Sequence, residues 1–397
     1  MSPTSQILAD LKVIDLTTNV AGPVAARLFG ELGADVVHVE PPHGDDGRNS
    51  TTAYLGREGV FHSVGNRNKR GVVIDLKTER GCEVMKRLLQ QADFFVENMT
   101  KGTLDDLGLG WDTLHALNPR LIQISITGWG QSGPLAYEPG YDVLVQAFTG
   151  AVKAENGEFR ALGGLRGDPT APLLGAFAAM GALYERERTG KGALVTSSVL
   201  QGAVHMAGAG MVIAHDEPPK EETGRGPMGG LGGLGPFWAA DGKGVFLCAW
   251  NDRQFVELCD LAGFPEVGAD PAYATRFLRS GESGARLNAL FGQWVASKNR
   301  DEIVEEMRAR RIPVSPVNQT LDELQDDPHI LENDLITSLD HPTKGRLSMI
   351  GAMYEIDGDG PRYRPAPLLG EHTDEVLADY GYSPEQVSEL RECGAVA

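Results

Sequence analysis

The pattern that decides the fold lies in the stretch LKVIDLTTNVAGPVAARLFGELGADVVHVE (11–40). Two nearly all-apolar runs, at 11–16 and 34–40, flank a segment with helical periodicity at 23–33. A strand, a helix and a second strand in this order form a unit with parallel strands. Strands that are apolar throughout are expected where helices cover both faces of a sheet. The stretch therefore predicts an open α/β sheet.

The same alternation continues along the first half of the chain. Apolar strand runs recur at 71–76, 93–98 and 120–126, and helical segments separate them at 78–92 and 111–119. The loop TTNVAGP (17–23) joins the first strand to the first helix, which is a place where ligands bind in open α/β sheets. An ordinary strand-to-helix turn with no ligand would show the same sequence pattern.

A break in this alternation predicts a second domain. The pattern changes near residue 203, and residues 216–236 are rich in Gly, Pro and charge, as in a linker or exposed loop. We expect a large α/β domain over 1–205, a linker over 206–224, a smaller α/β domain over 225–318, and a segment over 319–397 that returns to the large domain.

Composition narrows the choice of partners. The chain has 397 residues and a formal net charge of −19, which disfavours nucleic acid and anionic membranes as partners. An anionic substrate would therefore need a local basic pocket. The longest apolar runs are too short to cross a bilayer, and no basic flank precedes an apolar stretch near the N-terminus. We expect no signal peptide and no membrane span.

Cysteine and histidine are dispersed along the chain. The four cysteines include no CxxC pair, and the nine histidines show no metal-binding spacing. This usage favours reduced thiols in the cytoplasm and predicts no metal site.

Two further stretches carry ligand-binding patterns. NRNKR (66–70) is the densest basic cluster and is interpreted either as a solvated loop or as an anion site at Lys69 and Arg70. GLGGLG (230–235) matches the dinucleotide pattern GxGxxG, but neither a strand before it nor a helix after it is predicted. A flexible loop, or a glycine flap over a ligand, fits better.

Two aspartates stand out near helix starts. In GGLRGDPTAP (163–172), Asp168 precedes Pro169 and an apolar run, which predicts Asp168 as the N-cap and Pro169 as the first helical residue. Asp142 occupies a similar place in PGYDVL (139–144). From the local pattern alone, capping and chemistry both remain open for each.

Taken together in chain order, several stretches resemble the family III CoA-transferases. This group includes formyl-CoA:oxalate transferase, carnitine CoA-transferase and α-methylacyl-CoA racemase. The matching stretches are LKVIDLTTNVAGP, FGELGADVVHVEPP, NRNKRGVVIDLKTERG, ADFFVEN, LNPRLIQISITGWGQSGP, GYD, the GD of 167–168 followed 21 residues later by TGKG, RIPVSPV and APLLGEHTDEVL.

The resemblance implies a Rossmann-like large domain, an interlocked homodimer, and roles for particular residues. It implies that Asp168 is the catalytic nucleophile, that Asp142 lines the substrate pocket, and that no cofactor is permanently bound. It implies a glycine loop that shields the thioester at Gly229, Gly230, Gly232 and Gly233. The implied CoA-binding residues are Val20, Ala21, Asn68, Lys69, Arg70, Asn98, Met99 and Tyr141.

The sequence also departs from its family. The formyl-CoA transferase branch has Gln, Arg and Arg where this chain has Val20, Pro42 and Asp106, so part of the CoA contacts must differ. The racemase branch carries a catalytic His where Tyr141 stands, and a racemase needs two proton carriers. We therefore expect an acyl-CoA:carboxylate CoA-transferase. A racemase or isomerase of the same fold, or a CoA-binding inactive subunit of a heteromeric transferase, are the alternatives.

A carboxylate suits this chemistry because it can hold an acyl group as a mixed anhydride. A helix start at Asp168 would favour the ionised carboxylate and offer free N–H groups to developing oxyanions. Gly163, Gly164 and Gly167 are expected to keep the approach to the carboxylate open.

Overall fold

The computed structural model describes residues 6–49, 54–55, 58–155, 158–161, 166–208, 215, 230–351 and 353–397. The chain divides into two compact units, of which the larger comprises Met1–Ile213 and Asn333–Ala397 and the smaller comprises Ala214–Glu332. The predicted domain boundaries stay a prediction, since most of the expected linker, 206–224, lies outside the described residues.

A six-stranded parallel sheet forms the centre of the larger unit. The strands in this part of the chain are β1 (Lys12–Leu16), β2 (Asp35–Glu40), β3 (Tyr54–Leu55), β4 (Glu58–Gly59), β5 (Arg70–Val73), β6 (Phe94–Glu97), β7 (Ile122–Thr127), β8 (Val152–Glu155), β9 (Glu158–Ala161) and β10 (Ala193–Ser198). β3 pairs with β4 and β8 with β9 as short antiparallel hairpins. The other six strands lie in the order β10–β7–β6–β1–β2–β5, and all their pairings are parallel. The predicted open parallel sheet is confirmed.

Helices connect these strands. They are α1 (Ala21–Glu31), α2 (Val60–Gly65), α3 (Glu79–Leu89), α4 (Thr103–Asp106), α5 (Trp111–Leu117), α6 (Asp142–Phe148), α7 (Gly167–Thr189) and α8 (Val199–Ala207). Local chemistry sets several of their starts. Thr78 caps α3, because its hydroxyl accepts a hydrogen bond from the N–H of Gly81 at 2.9 Å.

Alternating side chains place a separate core on each face of the sheet. Ile14 and Phe95 belong to one apolar cluster, which also contains Leu88 of α3. Val13 and Phe94 point the other way, into a cluster with Phe29 of α1. All six are at most 1% exposed, so both faces of the sheet are dry, as the apolar strands predict.

The smaller unit is built around a three-stranded antiparallel sheet. Its strands β11 (Leu234–Trp238), β12 (Gly244–Cys248) and β13 (Val314–Val317) lie in that order. Its helices are α9 (Asp252–Leu261), α10 (Pro265–Ala269), α11 (Gly281–Val295), α12 (Arg300–Ala309) and α13 (Pro328–Glu332), and two 3₁₀ turns lie at Pro271–Tyr273 and Leu321–Leu324. Asn251 caps α9 in a capping box with Gln254.

The C-terminal segment completes the larger unit. It contains the hairpin strands β14 (Ile336–His341) and β15 (Gly345–Ile350), then α14 (Thr373–Asp379) and α15 (Pro384–Glu392). Val376 and Leu390 pack into the same core as Ile14. In the part of the chain that the structure describes, no helix is long and apolar enough to cross a membrane.

Candidate active site

A cleft opens where the strand order of the parallel sheet reverses. The chain passes from β1 through α1 to β2 on one side, and later places β6 on the other side of β1. Ligands bind at such a switch point, outside the carboxyl ends of the strands. The cleft has a volume of about 200 Å³. Its lining residues are Thr18, Asn19, Val20, Ala21, Asp46, Asn98, Met99, Thr100, Ile126, Thr127, Gly128, Pro139, Gly140, Tyr141, Asp168 and Val199.

Asp168 lies in the first turn of α7 and faces this cleft. The helix begins at Gly167, so Asp168 is its second residue, and Arg166 occupies the N-cap position. The prediction that Asp168 caps the helix and that Pro169 opens it is therefore wrong. Among the described residues, none donates a hydrogen bond to the Asp168 carboxylate.

Asp142 caps α7 instead. Its Oδ1 accepts hydrogen bonds from the backbone N–H groups of Gly167 at 2.6 Å, Asp168 at 3.0 Å and Arg166 at 3.1 Å. Its Oδ2 accepts one from the amide of Gln146, one turn along α6. Asp142 is 2% exposed, so its carboxylate lies beneath the helix start and does not line the pocket as the resemblance implied.

This arrangement corrects a second expectation about the helix start. The N–H groups of residues 166–168 were expected to be free for oxyanions, but all three are bound to Asp142. Burial, and then the negative charge of Asp142, raise the pKa of Asp168 from 3.8 to about 7. Asp168 is therefore a half-buried carboxyl group that changes charge near neutral pH.

Gly167 has a packing role. A Cβ at this position would meet Cγ1 and the carbonyl oxygen of Val199 at 2.4 Å, so any larger residue would push α8 away from α7. Gly167 is therefore needed for the close packing of α7 against α8, and not, as expected, to keep the approach to the carboxylate open. Gly163 and Gly164 lie outside the described residues.

Five of the predicted CoA-binding residues line the cleft: Val20, Ala21, Asn98, Met99 and Tyr141. Val20 and Ala21 form the N-terminus of α1, where no side chain caps the helix. The Asn98 amide bridges to the loop after β1, because it accepts from the N–H of Thr18 at 2.9 Å and donates to its carbonyl at 2.8 Å. Tyr141 is 57% exposed.

The basic cluster NRNKR is structural, which contradicts the prediction of an anion site at Lys69 and Arg70. Lys69 is 4% exposed, and its Nζ donates to Asp15 at 2.7 Å. Arg70 contacts three carboxylates within 2.9 Å, those of Asp35, Glu375 and Asp379. These carboxylates balance the positive charges of Lys69 and Arg70.

The other three residues of this cluster are also engaged, and the first of them, Asn66, accepts a hydrogen bond from the Nζ of Lys69 at 2.7 Å. Arg67 is fully buried and pairs with Glu31 at 2.6 Å. Asn68 is 3% exposed, and its side chain binds the backbone of the C-terminal segment, accepting from the N–H of Arg364 and donating to the carbonyl of Arg362. Asn68 therefore does not line the cleft.

Four buried side chains beside β2 have donor atoms within 4.8 Å of one another, close enough for a metal ion: His38, Glu40, Asp45 and His62. Charged side chains of the protein surround this cluster, and His38 lies 3.5 Å from Asp45. Arg48 donates to both oxygens of Glu40, at 2.8 and 2.7 Å. Asp15 binds Lys69 at 2.7 Å and His38 at 2.9 Å. We interpret the cluster as a buried ion-pair network.

The glycine loop belongs to the smaller unit. Gly229 lies outside the described residues, whereas Gly230, Gly232 and Gly233 precede β11, so a strand follows the loop, as it would not in a dinucleotide site. A Cβ at Gly232 would meet Leu287 at 2.5 Å, which gives this glycine a packing role inside its own unit. The role of the loop over the thioester stays a prediction.

Sequence reasoning missed several cleft residues, among them Thr18, Asp46, Thr100 and Val199. Thr18 and Thr100 follow β1 and β6, so the rule that ligands bind beyond the carboxyl ends of parallel strands could have found them. Nothing in the local sequence distinguishes Asp46 or Val199 from ordinary loop and helix residues.

The chain belongs to the CoA-transferase family III, whose model matches residues 8–373. Its relatives include the formyl-CoA:oxalate CoA-transferase of Streptomyces coelicolor, at 30% identity over 99% of this chain and 100% of the relative. The human succinyl-CoA:glutarate CoA-transferase is also 30% identical, over 98% of this chain and 90% of the relative. The crystal structure of a CaiB/BaiF family protein from Brucella suis has a similar fold, with a TM-score of 0.80 and 29% identity over 94% of this chain and 99% of that one. The predicted family and class of enzyme are confirmed.

Proposed function

We propose that this protein transfers coenzyme A from an acyl-CoA donor to a carboxylic acid, and that Asp168 is the nucleophile. The observation that carries the proposal is the environment of Asp168: a half-buried carboxyl group that lines the cleft and receives no hydrogen bond from a described residue. Asp142 takes over the capping of α7, which leaves the Asp168 carboxylate available for chemistry. Family membership supports the transfer of CoA in general.

In the first half of the reaction, a carboxylate oxygen of Asp168 attacks the thioester carbonyl carbon of the donor. The C–S bond breaks, CoA leaves as a thiolate, and a mixed anhydride joins Asp168 to the acyl group. The thiolate then attacks the Asp168 carbonyl carbon, and the donor acid leaves as a carboxylate. CoA is now held as a thioester on Asp168.

The second half runs the same steps in reverse with the acceptor. The acceptor carboxylate attacks the aspartyl thioester, releases CoA thiolate and forms a second mixed anhydride. The thiolate attacks the acceptor's carbonyl carbon, which gives the new acyl-CoA and restores the Asp168 carboxylate. Charge and atoms balance in every step without a proton donor, a metal or a redox partner.

The protein setting helps this sequence in two ways. Burial makes the ionised Asp168 carboxylate less well solvated, which raises its pKa and its reactivity together. The anhydride hydrolyses easily, so a site that excludes water protects it. The predicted glycine loop is our candidate for that cover.

Mutation of Asp168 tests the proposal. We expect Asp168→Ala and the nearly isosteric Asp168→Asn to lose transfer between an acyl-CoA and a panel of mono- and dicarboxylic acids, followed by mass spectrometry. The control is Asp10→Asn, which removes an exposed carboxylate just before β1, at the opposite edge of the sheet. Unimpaired transfer by either Asp168 variant would refute the assignment.

The same assay separates the alternative functions. An isomerase would exchange the α-hydrogen of a chiral 2-methylacyl-CoA in deuterated water without any acceptor acid. An inactive subunit would show no transfer as a purified protein. We expect transfer by the purified protein and no exchange in the absence of an acceptor.

We also propose that the protein acts as a homodimer, which the resemblance implies to be interlocked. Apolar side chains exposed along one face of α7 support this: Leu173 at 42%, Phe177 at 82% and Tyr184 at 70%. Light scattering after size-exclusion chromatography tests it, and a mass near the 42.6 kDa of one chain would refute it. The cytoplasm remains our proposed compartment, supported by the four unpaired cysteines.

A further inference from the structure

The acidic chain must offer a cation to the phosphate groups of its CoA substrate. Its formal net charge is −19, and the basic residues expected to meet the phosphates, Lys69 and Arg70, are bound to carboxylates of the same chain. Asp46 lines the cleft near the loop after β1 and would repel a phosphate placed beside it. The phosphates therefore need a cation elsewhere along the cleft.

Lys101 occupies such a position. It follows Met99 and Thr100 in the loop after β6, and these two residues form a shared wall between the cleft and a second cavity of about 190 Å³. Lys101 lines that second cavity. It is the one basic side chain among the described residues that line either of the two spaces.

The ammonium group of Lys101 is held in place without an acidic partner. Its Nζ donates to the carbonyl of Gln131 at 2.7 Å and lies 4.8 Å from the centre of the Tyr137 ring. No carboxylate of the described residues comes within 4.0 Å of it. The carbonyl and the ring position the charge without neutralising it, and an ammonium has two more N–H groups to donate.

The surroundings of the second cavity suit the polar part of a nucleotide. Ser125, Gln123 and Trp111 line it together with two carboxyl groups, those of Glu97 and Asp105. Burial raises the pKa of Glu97 and so favours its neutral form, which does not repel a phosphate, and Asp105 is exposed to solvent. The Oε1 atom of Gln123 is buried and has no hydrogen-bond partner among the described residues. A ligand that extends from the cleft past Met99 would reach a cation, an unpaired acceptor and an aromatic surface.

We infer that Lys101 binds a phosphate group of the nucleotide portion of CoA and that the cavity beside it receives that portion. The inference rests on the proposed function in taking CoA as the ligand. It assigns Lys101 to substrate binding, away from the reacting carbonyl. Loss of its charge is therefore expected to change KM and CoA affinity and to leave kcat unchanged.

The test compares ligands with and without phosphate groups. Lys101→Met keeps the aliphatic stem and removes the charge, Lys101→Arg keeps the charge, and Lys191→Met removes an exposed lysine just before β10, at the amino edge of the sheet. For Lys101→Met we expect the KM for an acyl-CoA and the Kd for CoA, by calorimetry, to rise about tenfold or more, as for a lost charge-assisted hydrogen bond. Lys101→Arg and Lys191→Met should stay within about twofold of the wild type.

Two further ligands locate the contact. The acyl-pantetheine thioester has no phosphate, so Lys101→Met should process it as the wild type does. If dephospho-CoA binds the wild type and Lys101→Met equally well, the 3′-phosphate is the partner of Lys101. If Lys101→Met weakens the binding of dephospho-CoA as much as that of CoA, the pyrophosphate is the partner. Both outcomes support the inference.

Three results would overturn it: an unchanged KM and Kd in Lys101→Met, an equal loss on acyl-CoA and acyl-pantetheine, or no CoA binding by the wild type. The calorimetric measurement needs no catalysis. A wild-type protein that binds CoA through Lys101 but transfers nothing would refute the proposed function and leave this inference intact.

Discussion

Burial and the charge on Asp142 together set the pH at which the proposed nucleophile becomes active. The Asp168 carboxyl group must be ionised to attack, and its pKa is raised to about 7 by burial and by Asp142. The kcat/KM for an acyl-CoA reports ionisation in the free enzyme. We expect it to rise tenfold per pH unit below about pH 6 and to level off above about pH 8.

Asp142→Asn removes the neighbouring charge and keeps the cap. The Oδ1 atom of Asp142 accepts the three backbone hydrogen bonds, and asparagine retains an oxygen there and is as good a helix cap as aspartate. Burial is the larger cause of the rise in the Asp168 pKa from 3.8 to about 7, so the Asp142 charge accounts for less than half of it. The acidic limb of the pH–rate profile, where kcat/KM falls with falling pH, should therefore move down by about 0.5 to 1.5 pH units. This shift corresponds to about 0.7 to 2 kcal/mol in the free energy of ionising Asp168.

The assay is kcat/KM between pH 5 and 9 at constant ionic strength, with thermal unfolding as a check that the variant folds. At pH 6 the variant should be several-fold faster than the wild type relative to its own plateau. A limb that stays near pH 7 in Asp142→Asn, or a wild-type limb near pH 4, would refute the reasoning. The free energy of unfolding should depend on pH for the same reason. An acid with a raised pKa binds more protons in the folded state than in the unfolded state, so the wild type loses stability as the pH rises from about 4 through 7, by at most about 4 kcal/mol. Asp142→Asn should lose less over the same range.

Three further predictions concern the framework around the cleft. Burial alone would lower the pKa of His38, but the Asp15 carboxylate raises it from 6.5 to about 9. The stability that this pair contributes is complete below pH 6.5 and is lost as the pH rises through about 9. Urea unfolding at several pH values should therefore show this decrease in the wild type and not in His38→Gln. Arg70→Ala should lower the free energy of unfolding by about 1–3 kcal/mol without raising the KM for an acyl-CoA. A raised KM in the folded variant would show that Arg70 binds a phosphate group after all. Gly167→Ala places a methyl group against Val199 and should cost about 1–3 kcal/mol by thermal or chemical unfolding, whereas a neutral effect would show that α8 gives way freely.

The fold could be predicted from the sequence because its signal is local and repeated. The apolar runs around Ile14, Val37 and Phe95 each lie in a strand, and their alternating neighbours supply the two cores. Helix starts at Thr78, Asn251 and Ser383 carry their own capping oxygens, within three residues of the N–H groups that they bind. Such features need no knowledge of distant residues.

The site could be predicted only in part, because its decisive contacts join distant residues. The carboxylate that caps α7 comes from Asp142, 26 residues before the Asp168 N–H that it binds. The partners that neutralise Arg70 include Glu375, 305 residues along the chain. A dense basic cluster reads the same in sequence whether it is free or paired. Lys101, a single lysine between Thr100 and Gly102, gives no signal until the loop after β6 is placed beside the cleft.

The covalent intermediate on Asp168 tests the central claim most directly. The purified protein is incubated with an accepted acyl-CoA and no acceptor acid, treated with hydroxylamine or left untreated, digested, and analysed by mass spectrometry. We predict a CoA thioester on the peptide that contains Asp168, converted by hydroxylamine to a hydroxamate at that residue and missing from Asp168→Asn. Turnover of the same acyl-CoA in the presence of an acceptor, with no modification of that peptide under either condition, would contradict the account.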